Sequence, residues 1–126
     1  MQRNTETKKY PDMKTMVDNN SMMIINSVTV RRANVIMRRT GSEFVGVVKS
    51  QMIDTLKAKL HSGVAHFVYT KKDGSIREAW GTLASNLMKD KVGSYINRDM
   101  QNVVCYFDIE KGAFRSLRFE NLIQVF

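Results

Sequence analysis

The sequence has few of the residues that form covalent or metal-dependent sites, with one cysteine and two histidines among 126 residues. A single cysteine excludes a disulfide within the chain, and the run VVCYF around Cys105 predicts a buried thiol in a strand. His61 and His66 have no second histidine or cysteine at metal-ligand spacing, so we expect a solvated helix end and a strand surface. The sequence therefore predicts no metal and no cofactor.

Long hydrophobic runs are also missing. No run approaches the ~18 to 20 apolar residues of a membrane span. The segment MQRNTETKKYPD lacks the apolar stretch of a signal peptide. We therefore expect a cytoplasmic protein without a membrane partner.

Catalytic patterns are absent from the sequence as well. Asp108 and Glu110 flank a predicted turn, where turn chemistry accounts for acidic residues without acid–base catalysis. The glycines of AWGTL and RTGSEFVG fit neither dinucleotide-binding nor phosphate-loop spacing. These absences argue against an enzyme and against a small-molecule substrate.

What the sequence has in excess is positive charge. Lysine and arginine number 20 against 12 acidic residues, for a net charge of +8. The excess is densest in residues 22–48, which hold four arginines in two pairs and one acid, Glu43. Such a surplus fits nucleic acid, an acidic protein surface or solubility alone.

Residues 1–48 are predicted to form an N-terminal arm. Residues 1–20 combine mixed charge, the only proline and little periodicity, which is typical of a segment that does not fold alone. The run MMIINSVTVRRANVIMRR is rich in β-branched residues, so we expect one or two extended strands with a break near Ala33 and Asn34. A helix is the alternative for this run, and TGSEFVGVV should join the arm to the domain.

A helix is predicted for residues 50–63. Ser50 should cap its start, Asp54 should lie near the positive end of its dipole, and Gly63 should end it. Apolar residues recur at helical spacing on one face, which is expected to cover a sheet or a barrel mouth. That face comprises Met52, Ile53, Leu56 and Leu60.

Five short strands should follow this helix and curl into a barrel. The segments KKDG and EKG supply the glycine that a short hairpin loop needs, and apolar residues on both strand faces are typical of a barrel wall. The predicted strands are residues 64–71, 75–83, 102–109, 113–119 and 122–126. The long polar segment between the second and third strands should fold back on the barrel through Leu87, Met88, Val92, Tyr95 and Ile96.

Trp80, the only tryptophan, has two interpretations. It can fill the core or pack under the helix, with Gly81 permitting a bend in the strand. It can also bind a ligand. We favour the packing role.

The segments KKDG, REAWGT, YFD and FRSL carry a resemblance that covers about Val64 to Val125. This stretch resembles a family of unassigned function, described as a WYL-like, Sm-like SH3 β-barrel, with members in gut Bacteroidetes and their phages. The expected fold is mainly β, with the arm of residues 1–48 and a domain of residues 49–126 made of one amphipathic helix and a five-stranded Sm-like barrel. The resemblance implies rings and RNA binding, which are common among Sm-like barrels, or the regulatory binding of WYL domains.

Two functions follow as hypotheses. The first is a non-enzymatic interaction protein, encoded by a phage or mobile element, whose barrel docks into a larger assembly such as a virion while the arm reaches across neighbouring or identical subunits. The alternative is a nucleic-acid-binding accessory or regulatory protein that uses the basic arm and barrel surface. Candidate contact residues for either partner are Arg31, Arg32, Arg38, Arg39, Lys71, Lys72, Arg77, Arg115 and Arg118.

Overall fold

Two main helices and five strands, with two single helical turns, follow one another along the described chain. A computed structural model describes residues 26–88 and 101–126. The helices are α1 (Ser27–Thr40), α2 (Glu43–Ser62) and the single turn α3 (Ser85–Met88), and a 3-10 turn spans Phe119–Asn121. The strands are β1 (Val64–Thr70), β2 (Ile76–Thr82), β3 (Val103–Asp108), β4 (Ala113–Arg118) and β5 (Leu122–Val125).

The five strands form one antiparallel sheet in the order β4-β3-β2-β1-β5. Strand β5 returns from the far end of the chain to pair with the free edge of β1, where Phe67 lies opposite Val125. All five predicted strands are confirmed. Both hairpin loops place their glycine at positive φ, 90° at Gly74 and 66° at Gly112, as the turn segments predicted.

The core lies between α2 and the inner face of the sheet. Alternate residues of β1 point inward, and Phe67 is fully buried. They pack against the apolar stripe of α2, of which Ile53, Leu56 and Leu60 are completely inaccessible to water. The predicted apolar face of this helix is therefore confirmed, and each such side chain contributes about 1.5–3 kcal/mol through burial.

Residues 27–40 form a helix, so the predicted extended strands are wrong here and the helical alternative is correct. The buried positions recur at helical spacing, and Asn26 caps the first turn by accepting a 3.0 Å bond from the Thr29 N–H. Packing of this face against α2 outweighs the modest β preference of its valines and isoleucine. The buried positions are Thr29, Arg32, Ala33, Val35 and Ile36.

Helix α2 begins at Glu43, seven positions before the predicted Ser50 cap. Ser42 caps it instead, because its Oγ accepts a 3.1 Å bond from the Val45 N–H. Ser50 is buried inside the helix, where its hydroxyl donates to the Thr29 carbonyl at 2.6 Å. The described chain thus has two main helices where one was expected, and the boundary predicted after residue 48 falls within α2. Gly63 follows its last residue, as predicted.

A polar cluster, buried on the α1 side and half-buried at Asp54, joins α1 to α2. Arg32 is buried and pairs with Asp54, which also accepts a 2.6 Å bond from the Thr29 hydroxyl. The early start of α2 moves Asp54 away from the helix end, so the predicted dipole role is wrong. Asp54 serves instead as the partner of α1.

Some predictions concern residues outside the described parts of the chain. These are the arm over residues 1–25 and the packing of Val92, Tyr95 and Ile96. Met88 is buried in the core as predicted, whereas Leu87 is exposed. Within residues 26–88 and 101–126, no helix has the length and apolar character needed to cross a membrane.

Helices α1 and α2 approach each other closely at Gly46, which gives a stability prediction. A Cβ added there would lie 2.5 Å from the Ala33 carbonyl oxygen, which belongs to rigid helix backbone. Gly46→Ala should therefore destabilise the protein by about 1–3 kcal/mol, although alanine normally stabilises a helix interior by about 1 kcal/mol. Urea unfolding followed by Trp80 fluorescence measures the change.

Gly63→Ala is the matched control, because a Cβ there meets nothing within 4 Å. This control should change the free energy of unfolding much less. A Gly46→Ala variant as stable as the wild type would contradict the close contact between the helices.

Candidate functional site

A basic groove of about 580 Å³ opens between β4, the turn after β1 and the last turn of α1. Five cationic side chains from these three elements line it, and none of its lining residues in the described part of the chain is acidic. The five are Arg39, Lys71, Lys72, Arg115 and Arg118. The fold thus brings together five of the nine candidate residues chosen from the sequence.

Aromatic and apolar side chains lie among these cations. Phe114 is half-buried and packs edge-to-face on Phe107 at a centroid distance of 5.4 Å. Tyr69 and Leu117 are buried and line the same groove. The groove therefore combines positive charge with an apolar surface.

Asp108 anchors the basic groove from the barrel interior. Its carboxylate is fully buried, pairs with Arg77 and lies 3.4 Å from Arg115 Nε. It also accepts a 3.1 Å bond from the Lys111 N–H in the β3–β4 turn. Burial alone would lower the pKa of Arg77. Its hydrogen bonds to Tyr106 and Asp108 outweigh this effect, so the pKa of Arg77 is raised. Arg77 therefore supports the groove from behind and does not line it.

Glu120 is the acidic neighbour of the groove. Its carboxylate lies 2.9 Å from Arg39 Nη1 and 3.8 Å from Arg118 Nη1. Its main-chain carbonyl accepts a 2.7 Å bond from Lys49 Nζ. Burial lowers the pKa of Lys49, and the charge of Glu120 offsets part of that change.

The other three candidates, like Arg77, do not line the groove. Arg32 is buried against Asp54, and Arg31 donates to the Asn102 side chain at 2.9 Å. Arg38 is exposed on α1 outside the groove. The arginine pairs therefore do not act as one unit in the described structure.

Sequence reasoning missed the two carboxylates that organise these cations. Glu120 acts on Arg39 across 81 positions of sequence, and Asp108 acts on Arg77 across 31. No local pattern links such distant residues. The only local signal was the position of Asp108 at the start of a turn.

Among residues 26–88 and 101–126, Trp80 packs neither in the core nor under a helix, which contradicts the favoured interpretation. It is half-buried on the outer sheet face, which we define by Ile76, Glu78, Trp80, His66 and Phe126. The His66 ring stacks between Trp80 and Phe126, with both centroid distances at 4.4 Å, and its Nε2 lies 2.5 Å from Glu78.

The two histidines and the cysteine lie on the elements predicted for them. His66 is on the surface of a strand, and His61 is exposed in the last turn of α2. Cys105 lies in β3 as predicted but is only half-buried. Across residues 26–88 and 101–126, no three His, Cys, Asp or Glu side chains converge as a metal site would require.

The helix-covered, five-stranded sheet places this chain among small barrel proteins, and comparison with known families identifies which class. The family model described as WYL_2, Sm-like SH3 beta-barrel fold, matches residues 53–123, and the chain belongs to this family. The family resemblance and the fold class predicted from the sequence are confirmed.

A phage protein is related to this chain. The two are 33% identical over 76 residues, which cover 57% of this chain and 74% of the relative. That relative is an uncharacterized 11.5 kDa protein in the Gp31-cd intergenic region of Enterobacteria phage T4. No solved structure matches the chain.

The buried tyrosine pair beside the groove gives a prediction about pH. Tyr106 is fully buried, and its hydroxyl lies 2.7 Å from that of Tyr69. Burial, followed by the bond to Tyr69, raises the pKa of Tyr106 above its ordinary value. Because the folded pKa exceeds the unfolded value of about 10, the contribution of Tyr106 to stability is complete below pH ~10 and is lost above it.

Tyr106→Phe should therefore reduce the loss of stability above pH ~10. At neutral pH the variant should be about 1 kcal/mol less stable, because Tyr69 loses its partner. Urea unfolding at neutral and alkaline pH, together with tyrosinate absorbance, measures both effects. An equal alkaline loss of stability in the variant and the wild type would contradict this role of Tyr106.

Proposed function

We propose that this protein is a non-enzymatic, phage-associated nucleic-acid-binding protein of accessory or regulatory function. The observation that supports it is the basic groove, where five cations from three elements converge without an acidic lining residue in the described part of the chain. Phosphate backbones bind to such clusters by releasing condensed counterions. The phage relative supports the phage association.

The shape of the site favours a single strand over a duplex. Proteins read duplex DNA mainly with a helix or ribbon that protrudes into a groove of the nucleic acid. Here the cations line a concavity, and Phe114 offers an aromatic surface among them. Cationic grooves with aromatic residues are typical of single-strand binding.

The contacts of the arm residues that the structure describes favour nucleic-acid binding over an arm that reaches across neighbouring subunits. Arg31 and Arg32 are engaged within the fold, by Asn102 and Asp54. Helix α1 packs on α2 and delivers Arg39 to the basic groove. The function therefore rests on the barrel and its two helices.

The test removes two cations from the basic groove. The double variant Lys71→Gln, Lys72→Gln should weaken the binding of a fluorescein-labelled oligothymidylate about tenfold, since two phosphate contacts are lost. The slope of log K against log salt should fall in magnitude by about 1.4. Fluorescence anisotropy between about 50 and 200 mM salt measures both quantities.

The matched control is Arg38→Gln, Lys111→Gln, which makes the same change in net charge at exposed positions outside the groove. It should change affinity about twofold at most, because neither side chain lines the groove and surface charges in solvent are screened by salt. Equal weakening by the two double variants would refute the groove as the site. Absence of any binding by the wild type to single- or double-stranded probes at low salt would refute the function.

A second candidate function is assembly through protein contacts, and the outer sheet face favours it. Ile76 is 68% exposed and Phe126 is 51% exposed on this face, which also carries the half-buried Trp80 ring. Exposed apolar side chains that share one face are typical of interaction surfaces. This candidate includes self-association and docking into a virion.

Self-association through this face should be sensitive to charge. Ile76→Asp should shift any oligomer seen by light scattering towards the monomer by at least tenfold in dissociation constant, because a carboxylate would be buried in the contact. Val48→Asp, at an exposed apolar position of α2, is the control. A wild-type protein that stays monomeric at all concentrations would count against self-association.

A further inference from the structure

Glu120 occupies a distinctive position beside the basic groove. It lies in the 3-10 turn that leads from β4 to β5, and these two strands form the opposite edges of the sheet. Its carboxylate contacts Arg39 from the last turn of α1 and Arg118 from the end of β4. One acid therefore engages two of the five cations that line the groove.

The Glu120 carboxylate is less exposed to solvent than either of the two arginines that it contacts. Glu120 is 14% exposed, Arg39 is 34% exposed and Arg118 is 55% exposed. The main chain of Glu120 is held by Lys49 Nζ. The carboxylate is thus fixed beside the barrel, while the two guanidinium groups reach solvent and can turn towards an incoming anion.

We infer that Glu120 is a specificity-determining residue of the basic groove, a built-in counter-charge that a ligand phosphate must displace from Arg39 and Arg118. This inference rests on the proposed function of the groove. Through this competition, Glu120 makes the groove bind a chain of phosphates in preference to a single anion.

The discrimination follows from exchange of partners. A single phosphate that takes Arg118 from Glu120 replaces one anionic partner by another, so its net gain is small. A chain of phosphates also reaches Lys71 and Lys72, for which the described residues provide no salt bridge. Because exposed ion pairs are weak, the added contacts are enough to displace the carboxylate.

Glu120→Gln tests the inference. Removal of the competing charge makes two arginines available, so the oligothymidylate should bind about three- to tenfold more tightly, and the salt slope should increase by about 0.7. Inorganic phosphate should also compete better against the oligothymidylate on the variant than on the wild type. Glutamine keeps the size of the side chain and the backbone bond to Lys49.

Glu110→Gln is the matched control, since it makes the same charge change at an exposed position in the β3–β4 turn. It should leave affinity within about twofold of the wild type, because Glu110 does not line the groove and, among the described residues, forms no ion pair with the groove cations. Addition of Arg118→Gln to Glu120→Gln should remove most of the gain. Unchanged or weaker binding by a folded Glu120→Gln variant would overturn the inference.

Heparin chromatography separates failure of this inference from failure of the proposed function. If the wild type binds no oligonucleotide but Glu120→Gln elutes from heparin at higher salt than Glu110→Gln, the counter-charge role stands and the nucleic-acid function falls. If the wild type binds oligonucleotide and the two variants behave alike in both assays, the function stands and the inference falls. Identical heparin elution of the two variants overturns the inference in either case.

Discussion

The structure depends on one buried carboxylate, that of Asp108 in the last position of β3. A carboxylate without access to water is costly unless cations and hydrogen-bond donors surround it. Arg77, Arg115 and the Lys111 N–H meet that requirement from β2, β4 and the turn between β3 and β4. The same contacts that stabilise the buried charge therefore fix three elements of the barrel and orient one of the cations of the basic groove.

A second ion pair, in which the arginine is buried and the carboxylate is half-buried, joins the two helices. Arg32 and Asp54 hold α1 against α2, and Gly46 lets their backbones approach. This packing fixes the end of α1 beside β4, where Arg39 enters the basic groove. One arginine of the sequence pairs is thus structural and another is available for binding, although both looked equivalent in the sequence.

The sequence predicted those features that depend on neighbouring residues. The strands, the two hairpin glycines and the apolar stripe of α2 follow from alternation, turn chemistry and helical spacing. Helix α1 was only the alternative to extended strands because its β-branched residues favour strands locally, whereas its stability comes from burial against α2. The groove cations could be chosen as candidates by charge. Their organisation by Asp108 and Glu120 could not, since Glu120 reaches Arg39 across 81 positions and the buried Asp108 carboxylate depends on Arg77, 31 positions away.

The pairing of β5 with β1 has a consequence for how the chain reaches this structure. The hairpins β1–β2 and β3–β4 close short loops, whereas the contact of Phe67 with Val125 closes a loop of roughly 60 residues, at an entropic cost of about 3–4 kcal/mol. Local hairpins therefore precede the closing strand. Until β5 arrives, β1 presents an open edge, and that edge is where a partly folded chain can pair with the β5 of another.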